Sequence, residues 1–315
     1  MTGKTLTIGT RGSALALRQA EMVVASLREV HPNLGTHLRV FKPLGDRDKA
    51  SPLRELGGQG VFVREIEHAL AAGEIDVAIH SLKDLSGELP AGLTLAAITR
   101  REDARDVLIS RHGLGWRDLP ADATVGTSSP RRAVQLRALR PDFRIADLRG
   151  NVDTRLRKAQ DPPYDAIVLA AVGLQRMGWE DRVTQYLDPA ECLPMVGQGA
   201  RAVEARADDA ATLALLAPLD DGPTRLATSA ERAFLRRLGA GCRAAVAAYA
   251  TLDGDRLTIA GLIGDPGGAD LYRTTVSGRT PTIAAAEALG DELAADLLAR
   301  GGDRLVAAAI AQAAG

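Results

Sequence analysis

Leu6-Thr7-Ile8-Gly9-Thr10-Arg11-Gly12-Ser13-Ala14-Leu15-Ala16 is the stretch that decides the fold class. Leu6 to Thr10 reads as a short strand, and Ser13 is a residue of the kind that caps a helix. From there Ala16, Ala20, Val23, Leu27 and Val30 recur at helical spacing to about Val30. A strand delivered into a capped helix through an arginine-bearing turn is the grammar of the first two-thirds of the chain. A second helix is expected near Phe62 to Ala72, with Phe62, Ile66, Ala69 and Leu70 on one side and Gly73 ending it. Ile75, Val77 and Ile79 alternate as a strand leading into His80-Ser81-Leu82-Lys83-Asp84. Thr124 to Gly126 ends a further strand, and Ser128-Ser129-Pro130 starts a helix with proline in its first turn. Ala166 to Val172 is a continuous apolar run, as expected of a strand covered on both faces. Strands alternating with helices in this way imply an α/β architecture with mainly parallel sheets.

After about Gly222 the pattern changes. A helix is expected from roughly Ser229 to Leu238, ending at Gly239-Ala240-Gly241. Strands follow near Ala244 to Leu252 and Leu257 to Ile263, joined by the turn signal Asp253-Gly254-Asp255. Another strand near Tyr272 to Ser277 and a helix from about Ile283 to Ala299 complete a small α+β domain.

Composition narrows the function classes. The 315 residues are 46% hydrophobic, 25% charged and only 3% aromatic, so the cores are aliphatic and the chain globular. A formal net charge of −1 and few aromatics argue against nucleic-acid binding by phosphate tracking or base stacking. The N-terminus lacks an apolar segment behind a basic start, and no run reaches the ~18 apolar residues that span a bilayer. A cytoplasmic protein with no membrane partner is the expectation. Its two cysteines, Cys192 and Cys242, are then expected as free thiols. The five histidines show no metal-ligand spacing, so no metal is expected. Gly57-Gly58-Gln59-Gly60 lacks the Lys-Ser/Thr of a phosphate loop, and Gly197-Gln198-Gly199 is too short for a dinucleotide site.

The arginines carry more information. Between Val125 and Lys158 there are nine Lys/Arg residues against three Asp/Glu, in a chain that is nearly neutral overall. Arg11, Arg131, Arg132, Arg149 and Arg155 fall at expected strand-to-helix turns, where free N–H groups already favour anions and guanidinium forks can grip carboxylates bidentately. Solvated helix faces are the competing reading, and it suits Arg137, Arg140, Arg144 and Arg157. Lys83-Asp84 follows a strand end, a position that borders the ligand crevice of open α/β sheets, where a carboxylate can move a proton. Cys242 sits in Gly239-Ala240-Gly241-Cys242-Arg243, where an adjacent cation favours the nucleophilic thiolate. Cys192, between Glu191 and Leu193, has no such setting and reads as structural.

With these stand Gly60-Val61-Phe62-Val63-Arg64-Glu65-Ile66-Glu67, Arg101-Glu102-Asp103, Gly126-Thr127-Ser128-Ser129-Pro130-Arg131-Arg132, Leu148-Arg149-Gly150-Asn151-Val152-Asp153-Thr154-Arg155-Leu156 and Val196-Gly197-Gln198-Gly199-Ala200. In order and spacing, from end to end, the chain resembles the porphobilinogen deaminases. The resemblance implies two lobes like those of periplasmic binding proteins, residues 1–99 with 200–217 and residues 105–193, and a third domain over 222–315. It implies a dipyrromethane cofactor on Cys242 through a thioether, with Asp84 as the catalytic carboxylate. Arg11, Ser13, Lys83, Ser129, Arg131, Arg132, Arg149, Arg155 and Arg176 match positions that bind the acetate and propionate groups of cofactor and growing chain, and Phe62 matches an aromatic near the active site. The implied reaction joins four porphobilinogen molecules with loss of ammonia and releases hydroxymethylbilane by hydrolysis, for tetrapyrrole (porphyrin and haem) biosynthesis, in a monomeric enzyme. The chain departs from the usual pattern at Pro43, Gln59, Ser86, Ala104, Arg201, Ala240, Arg243 and Ala245. A non-catalytic two-lobed anion-binding or regulatory protein of the same fold is the alternative, and it would need neither Cys242 nor Asp84.

Overall fold

The computed structural model describes residues 4–42, 63–239, 245–265, 267 and 270–311. Strand β1 (Thr5–Arg11) runs into the turn at Gly12 and then helix α1 (Ala14–Val30), whose first turn is capped by the Ser13 hydroxyl accepting from the Ala16 N–H at 3.3 Å. The middle of the predicted apolar stripe is the face it buries, Ala20, Val23 and Leu27 packing with Leu6 and Ile8 of β1, while Val30 at its end is exposed. Strands β2 (Gly35–Phe41) and β3 (Val77–Ser81) flank β1 in parallel, and helix α2 (Arg64–Ala71) precedes β3. β4 (Leu93–Ile98) closes this part of the chain.

The chain then builds a second sheet from β5 (Asp106–Ser110), β6 (Thr124–Gly126), β7 (Arg144–Ala146), β8 (Ala166–Ala170) and β9 (Gln185–Leu187). Helix α3 (Pro130–Leu139) follows β6, with Pro130 in its first turn, and α4 (Val152–Lys158) follows β7. The apolar run after Asp165 is expected as strand to Val172, but β8 ends at Ala170 and a short helix α5 (Ala171–Gln175) takes over. Alanine, glycine and leucine in that stretch are permissive of either state, so apolarity alone does not locate the boundary.

β10 (Arg201–Arg206) returns to the first sheet, giving the order β2-β1-β3-β10-β4, while the second has the order β7-β6-β8-β5-β9. In each, four strands share one direction and the fourth in order runs against its neighbours: β10 against β3 and β4, and β5 against β8 and β9. Both sheets are therefore mainly parallel, as expected of the α/β class. The contacts divide the chain into one unit of Met1–Glu102 with Gly199–Arg225 and a second of Asp103–Gln198 with Leu226–Gly315. Each reversed strand is thus the first that the chain forms after passing from one unit to the other.

Helix α6 (Ala210–Leu216) covers the first sheet beside α1 through Leu216. Helix α7 (Gly222–Leu238) starts earlier than Ser229 because Asp221 caps it, its carboxylate accepting from the Thr224 N–H at 2.9 Å, and Pro223 is tolerated in the first turn. An antiparallel sheet of β11 (Ala245–Asp253), β12 (Arg256–Gly264) and β13 (Leu271–Arg279) follows, with the expected turn at Gly254. Helix α8 (Ile283–Leu297), capped by Thr282, then leads to α9 (Asp303–Ala311). Phe234 of α7, Val246, Ile259 and Leu293 form the centre of a core that belongs to this sheet and its helices.

Gly290 of α8 lies so close to α7 that a Cβ there would overlap the Ala230 carbonyl oxygen and approach the Ala233 side chain to 3.1 Å. Gly290→Ala is therefore expected to lower stability by about 1–3 kcal/mol, the usual effect of overpacking. A lower urea midpoint with an unchanged slope would bear this out, and an unchanged midpoint would contradict it.

Candidate active site

Parallel neighbours in a sheet release their carboxyl ends at the same edge, and ligand-binding residues of open α/β sheets gather there. In the first unit β1 and β3 pair in parallel, Ile8 opposite Val77 and Gly9 opposite Ala78. Arg11 is the last residue of β1, and Lys83 and Asp84 lie in a single 3₁₀ turn (Leu82–Asp84) immediately after β3. Arg11 Nη1 and Asp84 Oδ2 stand 3.6 Å apart, both side chains partly exposed. Ser13 lies just beyond Arg11 and spends its hydroxyl as the α1 cap. Behind this edge Ser81 exchanges hydrogen bonds with the buried Gln19 amide of α1 at 3.1 and 3.2 Å, fixing the end of β3.

In the second unit β7, β6 and β8 are parallel neighbours. Ser129 is the N-cap residue of α3, with Arg131 and Arg132 in the first turn after β6. Arg149 stands in the turn after β7 and Arg155 on α4, while Arg176 caps the end of α5 after β8 and is buried. The turns after β6 and β7 are joined: Ser128 Oγ donates to Leu148 O at 2.6 Å and accepts from Leu148 N at 3.1 Å. Gly150 lies in the second of these turns at φ 118°, where a Cβ would press on the Thr154 side chain at 2.7 Å. Arg155 Nε donates to Gly150 O at 2.7 Å, which ties the helix-borne guanidinium back to the turn. Six residues named from sequence thus follow the carboxyl ends of three adjoining parallel strands.

Arg131 and Arg132 are more deeply set than turn-borne groups usually are, at 3% and 6% exposure. Both meet Asp106, the fully buried first residue of β5: Arg131 Nη1 to Oδ2 at 2.6 Å and Arg132 Nη2 to Oδ1 at 2.8 Å. Burial alone would push the Asp106 carboxyl up, but the two guanidiniums outweigh it and hold it well below the usual carboxylate range. Arg132 Nη1 donates to Val168 O at 3.0 Å, whereas its Nε–H has no partner among the described residues. Cys192 is buried against Asp106, and burial foremost, with that carboxylate next, pushes its thiol up to about 12. A thiol so placed is inert, in keeping with its structural reading. Phe62 and Cys242 lie outside the described residues, as do Pro43, Gln59, Ala240 and Arg243. Arg201, where an apolar residue is usual in the resembled pattern, pairs with Glu102 at 3.2 Å.

Residues 6–214 match the family described as porphobilinogen deaminase, dipyrromethane cofactor-binding domain, and residues 226–299 match the porphobilinogen deaminase C-terminal domain. The chain belongs to the porphobilinogen deaminase family. The porphobilinogen deaminase of Syntrophobacter fumaroxidans is 47% identical over 306 residues, covering 97% of this chain and 98% of the relative. That of Roseiflexus castenholzii is 51% identical over 302 residues, covering 96% and 98%. Among solved structures, the methionine-binding protein MetQ is similar at 12% identity and a TM-score of 0.43, over 68% of this chain and 89% of that one. The family's dipyrromethane cofactor is a carboxylate-bearing group, and a strand-end edge set with guanidinium donors, one with an unpartnered buried N–H, is suited to it.

Two buried clusters escape sequence reasoning. One is Asp106 with its arginines. The other joins His80 of β3, Glu204 of β10 and Glu67 of α2: His80 Nε2 and Glu204 Oε2 are 3.3 Å apart, and Glu67 Oε1 has no hydrogen-bond partner among the described residues. The signal was a single acidic residue inside an apolar strand, as in Ala202-Val203-Glu204-Ala205. Burial first, then the Glu204 carboxylate, pushes the Glu67 carboxyl up, against the opposing effect of His80, His68 and Arg64. A carboxyl raised in this way keeps a proton in the folded chain that the unfolded chain releases near pH 4.3, so it withdraws stability as pH rises through that window. Glu67→Gln is expected to melt higher than the parent at pH 7 and to lose the advantage near pH 4. Thermal melts across this range check it, and parallel curves would contradict it.

Proposed function

We propose that this chain is a hydroxymethylbilane synthase, a transferase that condenses porphobilinogen head to tail with loss of ammonia and then releases the linear tetrapyrrole by hydrolysis. The observation that carries this reading is the Arg11–Asp84 pair, an ion pair 3.6 Å across on adjoining strand ends in a chain of this family. Held at Cys242 through a thioether, the dipyrromethane cofactor supplies a terminal pyrrole with a nucleophilic free α-carbon. Cys242 is assigned from its Gly-Ala-Gly-Cys-Arg setting, where Arg243 favours the thiolate needed to form the bond.

Asp84 is the catalytic residue. Partly exposed and oriented by Arg11, its carboxylate can assist departure of the substrate's amine, face the pyrrole N–H groups while they carry positive charge, and take up the proton lost after carbon–carbon bond formation. Arg11, Ser13, Lys83, Ser129, Arg131, Arg132, Arg149, Arg155 and Arg176 bind the acetate and propionate groups, with Phe62 beside the reacting ring. Each added ring brings two carboxylates, which accounts for the number of guanidinium groups, and bidentate gripping orients rings as well as holding them. The C-terminal antiparallel sheet has a main core of its own with α7 and α8, while Val134 of α3 and Leu193 also pack on its strands, and we assign residues 222–315 as a third domain carrying Cys242. Among the described residues no helix is long and apolar enough to cross a membrane. A cytoplasmic monomer is the form we assign.

Intact mass of the purified protein tests the assignment. One dipyrromethane of added mass is expected, lost in Cys242→Ser, and an unmodified mass from cells that make porphobilinogen would contradict it. Asp84→Ala is expected to keep the fold and lose turnover by about 10²–10⁴-fold. Near-normal ammonia release by that variant would remove the catalytic role.

A further inference from the structure

Asp106 touches more than the two arginines. Its Oδ1 also accepts from Gln198 Nε2 at 2.8 Å, and the same amide nitrogen donates to Ala104 O at 2.7 Å. Gln198 is the last residue before the chain leaves the second unit, and Ala104 lies one residue after the chain enters it. Gln198 is itself fully buried, and its neighbour Gly197 donates to the buried Glu231 carboxylate at 2.7 Å, whose other oxygen accepts from Ala250 N of β11 at 2.8 Å. On the other side Arg131 Nη1 donates to Leu193 O at 2.7 Å, and Leu193 is gripped at both backbone groups by the Gln135 amide of α3, at 2.6 and 3.2 Å. Every oxygen of Asp106 is thus committed to a side chain whose own position is fixed by backbone. A buried carboxylate engaged at both oxygens in this way has one arrangement, because any rotamer change strands a charge in a low-dielectric interior.

We infer that Asp106 is a positioning residue for carboxylate recognition, holding the Arg131 and Arg132 guanidiniums in a single orientation at the start of α3 and, with Gln198, joining them to the segments in which the chain enters and leaves the second unit. The inference rests on the proposed role of those arginines in gripping cofactor and substrate carboxylates. A guanidinium has five N–H groups in a rigid fork, so a protein carboxylate on one edge leaves another edge able to take a ligand, and it fixes the direction in which that edge points. Arg132 fits this description, since Nη1 and Nη2 are tied to Val168 and Asp106 while Nε–H has no partner among the described residues. Asp106 touches no ligand in this scheme. Its effect is on binding.

The test uses full-length wild-type enzyme, Asp106→Asn and Gln198→Met, each expressed in cells that make porphobilinogen. Folding is read by circular dichroism and thermal melts, cofactor loading by intact mass, and kcat and KM for porphobilinogen on the loaded fraction. Asp106→Asn keeps shape and hydrogen-bonding capacity but loses the charge, and Gln198→Met leaves the charge and removes the tie to Ala104. For folded Asp106→Asn we expect the loaded fraction to drop or KM to rise about 10- to 100-fold, with kcat changed less than about threefold, the size set by losing a charge-assisted bond. Gln198→Met is expected to move KM in the same direction by about three- to tenfold, and it decides the matter if Asp106→Asn does not fold. A folded Asp106→Asn, or failing that Gln198→Met, with normal loading and KM overturns the inference and leaves the proposed function standing. A wild-type protein with no added mass overturns both.

Discussion

Parallel pairing of neighbouring strands is the constraint on which the rest depends. Because β1 and β3 point the same way, the groups that follow them emerge at one edge, and Arg11 meets Asp84 although 72 residues lie between them. The same constraint in the second unit brings the turns after β6, β7 and β8 to one edge, with the arginines those turns carry. In an antiparallel sheet alternate turns would fall at opposite edges, and the same arginines would be scattered. Each sheet also accepts one reversed strand, β10 or β5, at the point where the chain has just come from the other unit. That strand lies beside the last of the parallel strands bearing site residues, so it completes the sheet without displacing any strand end.

Guanidinium groups gathered in this way need to be held apart and aimed, and the protein does so with carboxylates of its own. Asp84 faces Arg11 at a partly exposed position, where screening leaves the pair weak and adjustable. Asp106 lies fully buried between Arg131 and Arg132, where desolvation makes a broken pair expensive, on the order of 3–5 kcal/mol when one partner is removed. The contrast suits the duties proposed for them: a group that handles protons benefits from access, and one that sets geometry benefits from rigidity. Arg155 is tied to backbone as well, through its bond to the Gly150 carbonyl in the turn after β7.

Much of this was legible in the sequence where side-chain pattern and backbone chemistry agree. The β1–Ser13–α1 junction, the Pro130 start of α3 and the β11–β12 turn at Gly254 each have a local signal and appear within a residue or two of where that signal puts them. The misses share a cause, which is tertiary context. β10 hides behind Glu204, an acidic residue buried beside His80 in the middle of the strand, and β7 and β9 are three residues each, too short for any periodicity. Ala166 to Val172 is apolar in either state, so the change from strand to helix at Ala170 leaves no mark. Arg11, Arg131, Arg132 and Arg149 were legible as groups following strand ends because each sits beside a local turn or cap signal, but Asp106 carries no signal of its own in the sequence, and nothing there shows that two of those arginines close on it.

The most direct measurement is a crystal structure of the enzyme purified with its cofactor, at a resolution that resolves carboxylate oxygens. Pyrrole carboxylates within about 2.7–3.2 Å of guanidinium nitrogens from the strand-end arginines, with Asp84 against a pyrrole N–H, are the expected result. A pyrrole chain seated on other faces of the sheets, with Arg11, Arg149 and Arg155 directed at solvent, would contradict the claim that parallel strand ends build the site.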